Sequence, residues 1–170
     1  SIRRNYQRGV EQRLWGKVEV CGPWENCRHS LWALDHYMQW VSLEMAHIVH
    51  FNFGIHDVAI MPDGQPQIVL EQYTLCLRRF IAKGRDPLTA LIWATSTPLY
   101  EPQPGVPMHQ WKKRADIEAY NAAALAIAKE EGIIVNDLHQ AILDHDYMKC
   151  VGPDGCHMTP YGCDVLADAV

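Results

Sequence analysis

A carboxylate three residues ahead of a histidine, Asp154-Gly-Cys-His157, is followed by Met-Thr-Pro-Tyr-Gly162. On a loop just before a helix, that spacing lets the aspartate accept a hydrogen bond from the imidazole. The ring's tautomer is then fixed and its protonated form stabilised. Such a histidine is a general base in need of a nucleophile. Taken alone, the pair also fits an ordinary surface loop. A second group is Phe51-Asn-Phe-Gly-Ile-His-Asp57, placed after an apolar run. A glycine at a strand's end lets backbone approach a ligand closely. Asn52 or His56 could offer a side-chain donor to an oxyanion. The same residues also fit a strand-to-loop turn with His56 and Asp57 as a surface pair. The third group is the start, Ser1-Ile-Arg-Arg-Asn-Tyr6. A serine ahead of an amphipathic helix presents its hydroxyl at a helix N-terminus, where donors and the dipole favour negative charge.

These side chains need a scaffold, and the chain is long enough for one. Its 170 residues make one domain with a real core; 48% hydrophobic and 21% charged residues argue against disorder. The formal net charge of −5 disfavours a nucleic-acid binder. No apolar run approaches the roughly 18 residues of a membrane span.

The hydrophobic pattern alternates helix and strand, which predicts a parallel α/β sheet. Helices are expected over 3–15, with Tyr6, Val10 and Leu14 on one face, and over 31–45, with Leu31, Leu34, Met38 and Val41 on a stripe. Others are expected over 68–83, capped by Gly84, over 111–131, stopped by Gly132, and over 138–143. The last begins at 159, with Thr159 as N-cap and Pro160 at its first position. Strands are expected over 17–21, 47–53, 90–95 and 133–135. Residues 61–66 form a turn, and 98–107, with four prolines, an irregular loop, as is 145–158. In such a sheet a loop-borne site lies at the carboxyl ends of the strands.

Taken together, the three groups resemble in order and spacing the sequence blocks of the SGNH (GDSL-like) hydrolases. The family's nucleophile block reads Gly-Asp-Ser, then Ile or Leu, then a helix with a Tyr; here the chain begins at Ser1 and continues Ile2 to Tyr6. Pro23-Trp-Glu-Asn-Cys27 looks like the second block, and Gly54-Ile-His-Asp57 like the third, Gly-x-Asn-Asp. Asp154-Gly-Cys-His157 matches the fifth, Asp-x-x-His, with its Thr-Pro-x-Gly. Thr95-Ser-Thr-Pro98 also suits the family. The resemblance implies one domain over 1–170, a three-layer α/β/α sandwich with a flavodoxin-like parallel sheet. It implies ester hydrolysis through a serine acyl-enzyme without a cofactor, on a short-acyl or acetyl ester of a small molecule or carbohydrate. Ser1 would attack, His157 take its proton, and Asp154 orient His157. Backbone N–H groups of Ser1 and Arg28 and a side chain, His56 or Asn52, would form the oxyanion hole. Gly54, Tyr100 and Trp111 would contact substrate.

The sequence departs from the family at three points. Arg28 stands at the block-two glycine, and His56 at the block-three asparagine. Gly-Asp and the first strand are missing before Ser1, so a domain truncated at its N-terminus is expected, with Val170 as a possible second cut. Trp24, Trp93, Trp111 and Tyr100 are either packing residues or platforms for a sugar. The basic face of the first helix, with Arg3, Arg4, Arg8 and Arg13, reads as solvated.

Two other classes compete. A family member without catalysis would act in binding, motivated by Arg28, His56 and the missing strand. A zinc module would use Cys150, Cys156, His157 and Cys163, although their spacing lacks a Cys-x-x-Cys pair. Two cysteine pairs six apart, Cys21/Cys27 and Cys150/Cys156, could close short loops, which tilts the expectation toward an oxidising, exported location.

Overall fold

The computed structural model describes residues 2–42, 46–106 and 112–170. Ser1 and Trp111 lie outside them. The chain forms two compact units, each assembled from separated stretches.

The unit over 27–96 and 110–136 holds the sheet. Strands β1 (Ile48–Phe51), β2 (Ala90–Ala94) and β3 (Ile134–Asn136) run parallel in that spatial order. Val49 pairs with Leu91 and Phe51 with Trp93; Trp93 pairs onward with Val135. Parallel neighbours need a crossover, supplied by α3 (Leu70–Gly84) and α4 (Arg114–Glu131). Helix α3 buries Tyr73, Cys76, Leu77, Phe80 and Ile81, an i, i+3, i+4 stripe, and α4 buries Ile117, Tyr120, Ala124 and Ile127. Aromatic rings join strand to helix, where Phe51 stacks on Phe80 at 4.6 Å, and helix to helix, where Tyr73 meets Tyr120 at 4.9 Å. Arg78 and Arg85 pair with Glu130 and Glu131 across the outer ends of α3 and α4.

The unit over 1–26, 97–109 and 137–170 is mainly helical. Helix α1 (Ile2–Arg13) buries Tyr6 and Val10 and packs on α7 (Pro160–Ala169). The approach is close: a Cβ on Gly9 would stand 2.8 Å from the Ala167 Cβ. Arg13 bonds Asp168, so this arginine is engaged rather than solvated. Between them lie α5 (Leu138–Leu143) and a short α6 (Tyr147–Cys150), the latter inside what the sequence reads as loop. Thr159 caps α7 by accepting from Gly162 N–H, as expected.

Four expectations need correction. Residues 17–21 form no strand; they enter no ladder, and Val18 is half exposed. The 31–45 helix is broken: α2 spans Ser30–Asp35, and a π-helical turn covers Met38–Ser42. Its buried positions are Ser30, Ala33 and Tyr37, while Met38 is exposed. The buried face therefore runs through Ser30, Ala33 and Tyr37 rather than through the expected stripe, of which Leu31, Leu34 and Val41 are only partly buried and Met38 is exposed. Gly84 is the last residue of α3 rather than its cap, and its missing side chain makes room for Leu91. Among the described residues no helix is long and apolar enough to cross a membrane.

Candidate active site

The helical unit carries the Asp154–His157 pair. Asp154 Oδ2 lies 2.5 Å from His157 Nδ1, and Oδ1 accepts from the backbone N–H groups of Cys156 (3.1 Å) and His157 (3.0 Å). Burial would raise this carboxyl's pKa; the bonds from His157 and Cys156 outweigh it and hold the group below the usual carboxylate range. With Nδ1–H donating to the aspartate, the neutral ring carries its basic lone pair on Nε2. His157 keeps its side chain 44% exposed.

Main-chain atoms hold that loop. Gly152 N–H donates to His157 O at 2.7 Å, and Val151 bridges Met158. The proline-rich segment after β2 then zips onto it: Tyr100 N–H donates to Gly155 O (2.9 Å) and Gln103 N–H to Pro153 O (2.8 Å). Gly155 is required there. Its φ is +72°, and a Cβ would fall 2.0 Å from Tyr100 O. The Tyr100 ring stacks on Tyr147 at 4.2 Å. Helix α7 starts three residues past His157 and supports α1, the helix that begins directly after Ser1.

The sheet unit carries the candidate oxyanion donors. Past β1, Gly54 adopts φ +144°, and a Cβ would stand 2.5 Å from Ser96 Oγ, so the turn lies flat against the end of β2. Val58 N–H closes the turn on Gly54 O at 3.0 Å. His56 is half-buried in it. Asn52 Nδ2 donates to Ala94 O (2.6 Å) and lies 3.3 Å from Ser96 Oγ, so its amide links the two strand ends. Arg28 has φ +50°, the one positive value at a non-glycine among the described residues. The backbone conformation that suits a glycine is thus kept at Arg28. Its guanidinium lies 4.1 Å from the Trp32 ring centroid.

Sequence reasoning missed two polar anchors. Asn121, buried in α4, accepts from Ser96 N–H (2.9 Å) and donates to Ser96 O (2.8 Å), fixing the end of β2. A polar amide just before the alanine-rich stretch 122–128 was the available signal. Asp57 is fully buried rather than at the surface, and its Oδ1 accepts from Ser30 N–H at 2.9 Å. Trp93 has no exposed surface and is core, not a sugar platform; Trp24 is 95% exposed. The zinc reading is not supported: among the described residues no three His, Cys, Asp or Glu side chains group as metal ligands, Cys150 and Cys156 are buried, and His157 Nδ1 faces Asp154. All six cysteines are free thiols, so neither Cys21/Cys27 nor Cys150/Cys156 is bridged.

No family model and no curated protein sequence matches the chain. Solved structures do. An acetyl xylan esterase, AlAXEase, is similar at a TM-score of 0.80 and 16% identity, over 99% of this chain and 92% of that one. Axe2, an acetylxylan esterase from Geobacillus stearothermophilus, gives 0.72 and 21%, over 96% and 76%. A putative lipolytic protein of the G-D-S-L family from Desulfitobacterium hafniense gives 0.74 and 15%, over 98% and 86%. A parallel sheet with helical crossovers, matched to these structures along almost its whole length, gives the chain the α/β fold of the SGNH (GDSL-like) hydrolases.

Proposed function

We propose that the protein is a serine ester hydrolase acting through Ser1, His157 and Asp154. The observation that carries this reading is the Asp154–His157 pair, 2.5 Å apart on a loop fixed by main-chain hydrogen bonds. Such a pair orients an imidazole for proton transfer. In the proposed cycle Ser1 Oγ attacks the ester carbonyl while its proton passes to His157 Nε2. The tetrahedral oxyanion collapses, the alkoxide leaves with that proton, and an acyl-serine remains. Water then attacks the acyl-serine, giving its proton to His157, which returns one to Ser1 Oγ. Asp154 stays ionised throughout and stabilises the imidazolium.

The N–H groups of Ser1 and Arg28 and the side chain of His56 would receive the oxyanion. The left-handed backbone at Arg28 supports its role, because glycine adopts that conformation readily and the resemblance places a glycine there. A neutral His56 ring donates one hydrogen bond. Asn52 is the weaker candidate, since its amide already serves Ala94 O. Gly54, Tyr100 and Trp111 are proposed to contact substrate.

Two of the similar structures are named as acetylxylan esterases, and Trp24 and the Tyr100–Tyr147 pair offer aromatic surface in the helical unit. Both favour a small acyl ester, acetyl first, on a carbohydrate. The test is hydrolysis of p-nitrophenyl acetate and of acetylated xylan by the protein, beside Ser1→Ala and His157→Ala. Activity abolished in both variants supports the triad. Activity equal in all three overturns it, and a folded but inactive wild type favours a binding role.

A further inference from the structure

We infer that Asp57 is the positioning residue of the proposed oxyanion hole, its carboxylate tying the 28–30 segment to the 54–57 turn. The inference rests on the ester-hydrolase reading for its consequence and on geometry of its own for the tether.

Asp57 has no exposed surface, and neither has Ser30. Their bond, Ser30 N–H to Asp57 Oδ1 at 2.9 Å, spans 27 residues of sequence. Each partner adjoins a proposed donor: Ser30 lies two residues past Arg28, and Asp57 directly follows His56. One buried group therefore sets the separation of two donors carried on different loops. The turn bearing Asp57 is itself rigid, since Val58 N–H bonds Gly54 O and Ile68 N–H bonds Asp57 O, both at 3.0 Å. The 28–30 segment has a strained residue at its start and needs an outside anchor. A bond from a charged acceptor is stronger than one from a neutral acceptor. Asp57 Oδ2 is buried with no hydrogen-bond partner. Burying a carboxylate with an unsatisfied oxygen is costly for a fold that needs only an acceptor. That cost is understandable if the strength of the tether matters to the site rather than to the core.

The test compares Asp57→Ala, Asp57→Asn and Ser30→Pro. Proline removes the N–H at the first position of α2, where a helix tolerates it, and His29 before it is already extended. Turnover of p-nitrophenyl acetate is read as kcat and KM, with amide hydrogen exchange over 28–30 and melting curves alongside. Expected are a fall in kcat of about 100-fold in Asp57→Ala and in Ser30→Pro, the scale of one lost oxyanion donor, with KM changed less than about threefold. Asp57→Asn keeps an acceptor without its charge and should recover kcat only in part, between Asp57→Ala and the wild type. Exchange at 28–30 should rise at least about tenfold in Asp57→Ala while that of β2 stays fixed. Folded Asp57→Ala with unchanged kcat overturns the inference, as does a deficit in Asp57→Asn equal to that in Asp57→Ala. Should Asp57→Ala not fold, Ser30→Pro decides by the same criteria. A wild type no more active than His157→Ala defeats the ester-hydrolase reading instead. Exchange at 28–30 then judges the tether alone, and unchanged exchange sinks it.

Discussion

Arg28 places its guanidinium 4.1 Å from the centre of the Trp32 ring while holding its own backbone at φ +50°. The two facts oppose each other energetically. A left-handed conformation costs a side-chain-bearing residue about 1–2 kcal/mol, and a cation–π contact returns about 0.5–1 kcal/mol at a half-exposed site. Arg28→Gly should therefore be near neutral in stability. Arg28→Ala keeps the strain and loses the contact, and should be about 1 kcal/mol less stable than Arg28→Gly. Urea unfolding of the two variants measures that difference directly.

Gly155→Ala should be severe. The added Cβ would meet the Tyr100 carbonyl at 2.0 Å, and the backbone there is left-handed. Neither neighbour is a flexible side-chain end, so the zip between the two loops must open. A loss of roughly 2–4 kcal/mol is expected, with activity falling further than stability because His157 lies two residues away. Melting temperature and kcat/KM on one preparation separate the two effects.

Asn121→Ala removes both bonds to Ser96, to its buried N–H and to its C=O. The expected cost is about 2–4 kcal/mol. Asn121→Asp keeps the acceptor for Ser96 N–H but faces the Ser96 carbonyl with a second acceptor, and should be no better. Chemical denaturation of the two variants checks both statements.

Asp57 and Asp154 should make stability respond to pH in opposite directions. Burial pushes the Asp57 carboxyl up to about 6, although bonds from Ser30 pull it down. The phenols of Tyr73 and Tyr120 and the Cys76 thiol, which interact with it, are raised above their ordinary values and stay neutral in this range. The folded-state value lies above the unfolded one, so the Asp57 contribution is fully present below about pH 4 and is lost as pH rises through about 6. Its size is on the order of 2–3 kcal/mol. Asp57→Asn should abolish this component, seen as the wild-type-minus-variant difference in melting temperature between pH 4 and 7. Asp154 is held below its usual range, so its contribution is present above the unfolded value and is lost on acidification through the lowered one. Asp154→Asn should be less sensitive to acid than the wild type below about pH 4.

Much of this architecture was legible from residue order. The long amphipathic stripes of α3 and α4, the β-rich run at β1 and the Thr-Pro start of α7 each carried one consistent local signal. The Asp154–His157 pair was readable for the same reason, since three residues separate its members. What the sequence hid was long-range. Residues 17–21 have strand-like alternation, but a strand exists only through a partner, and no spacing reveals that partner. In α2 the buried face runs through Ser30 and Ala33, which hydrophobicity ranks below the leucines. Asn121 and Asp57 act across 25 and 27 residues, and their partners are backbone groups of Ser96 and Ser30, which carry no side-chain signature.

The bonds from Tyr100 and Gln103 to the Asp154–His157 loop use backbone atoms alone on both sides. Side chains at 101–103 take no part in those bonds. Glu101, Pro102 and Gln103 can be exchanged freely in descendants of this chain while the dyad keeps its place, with one restriction. Proline is barred at 100 and 103, where an N–H must donate. Under the proposed function, the segment is a place where evolution, or a designed library, can change what is recognised without rebuilding how it is cleaved.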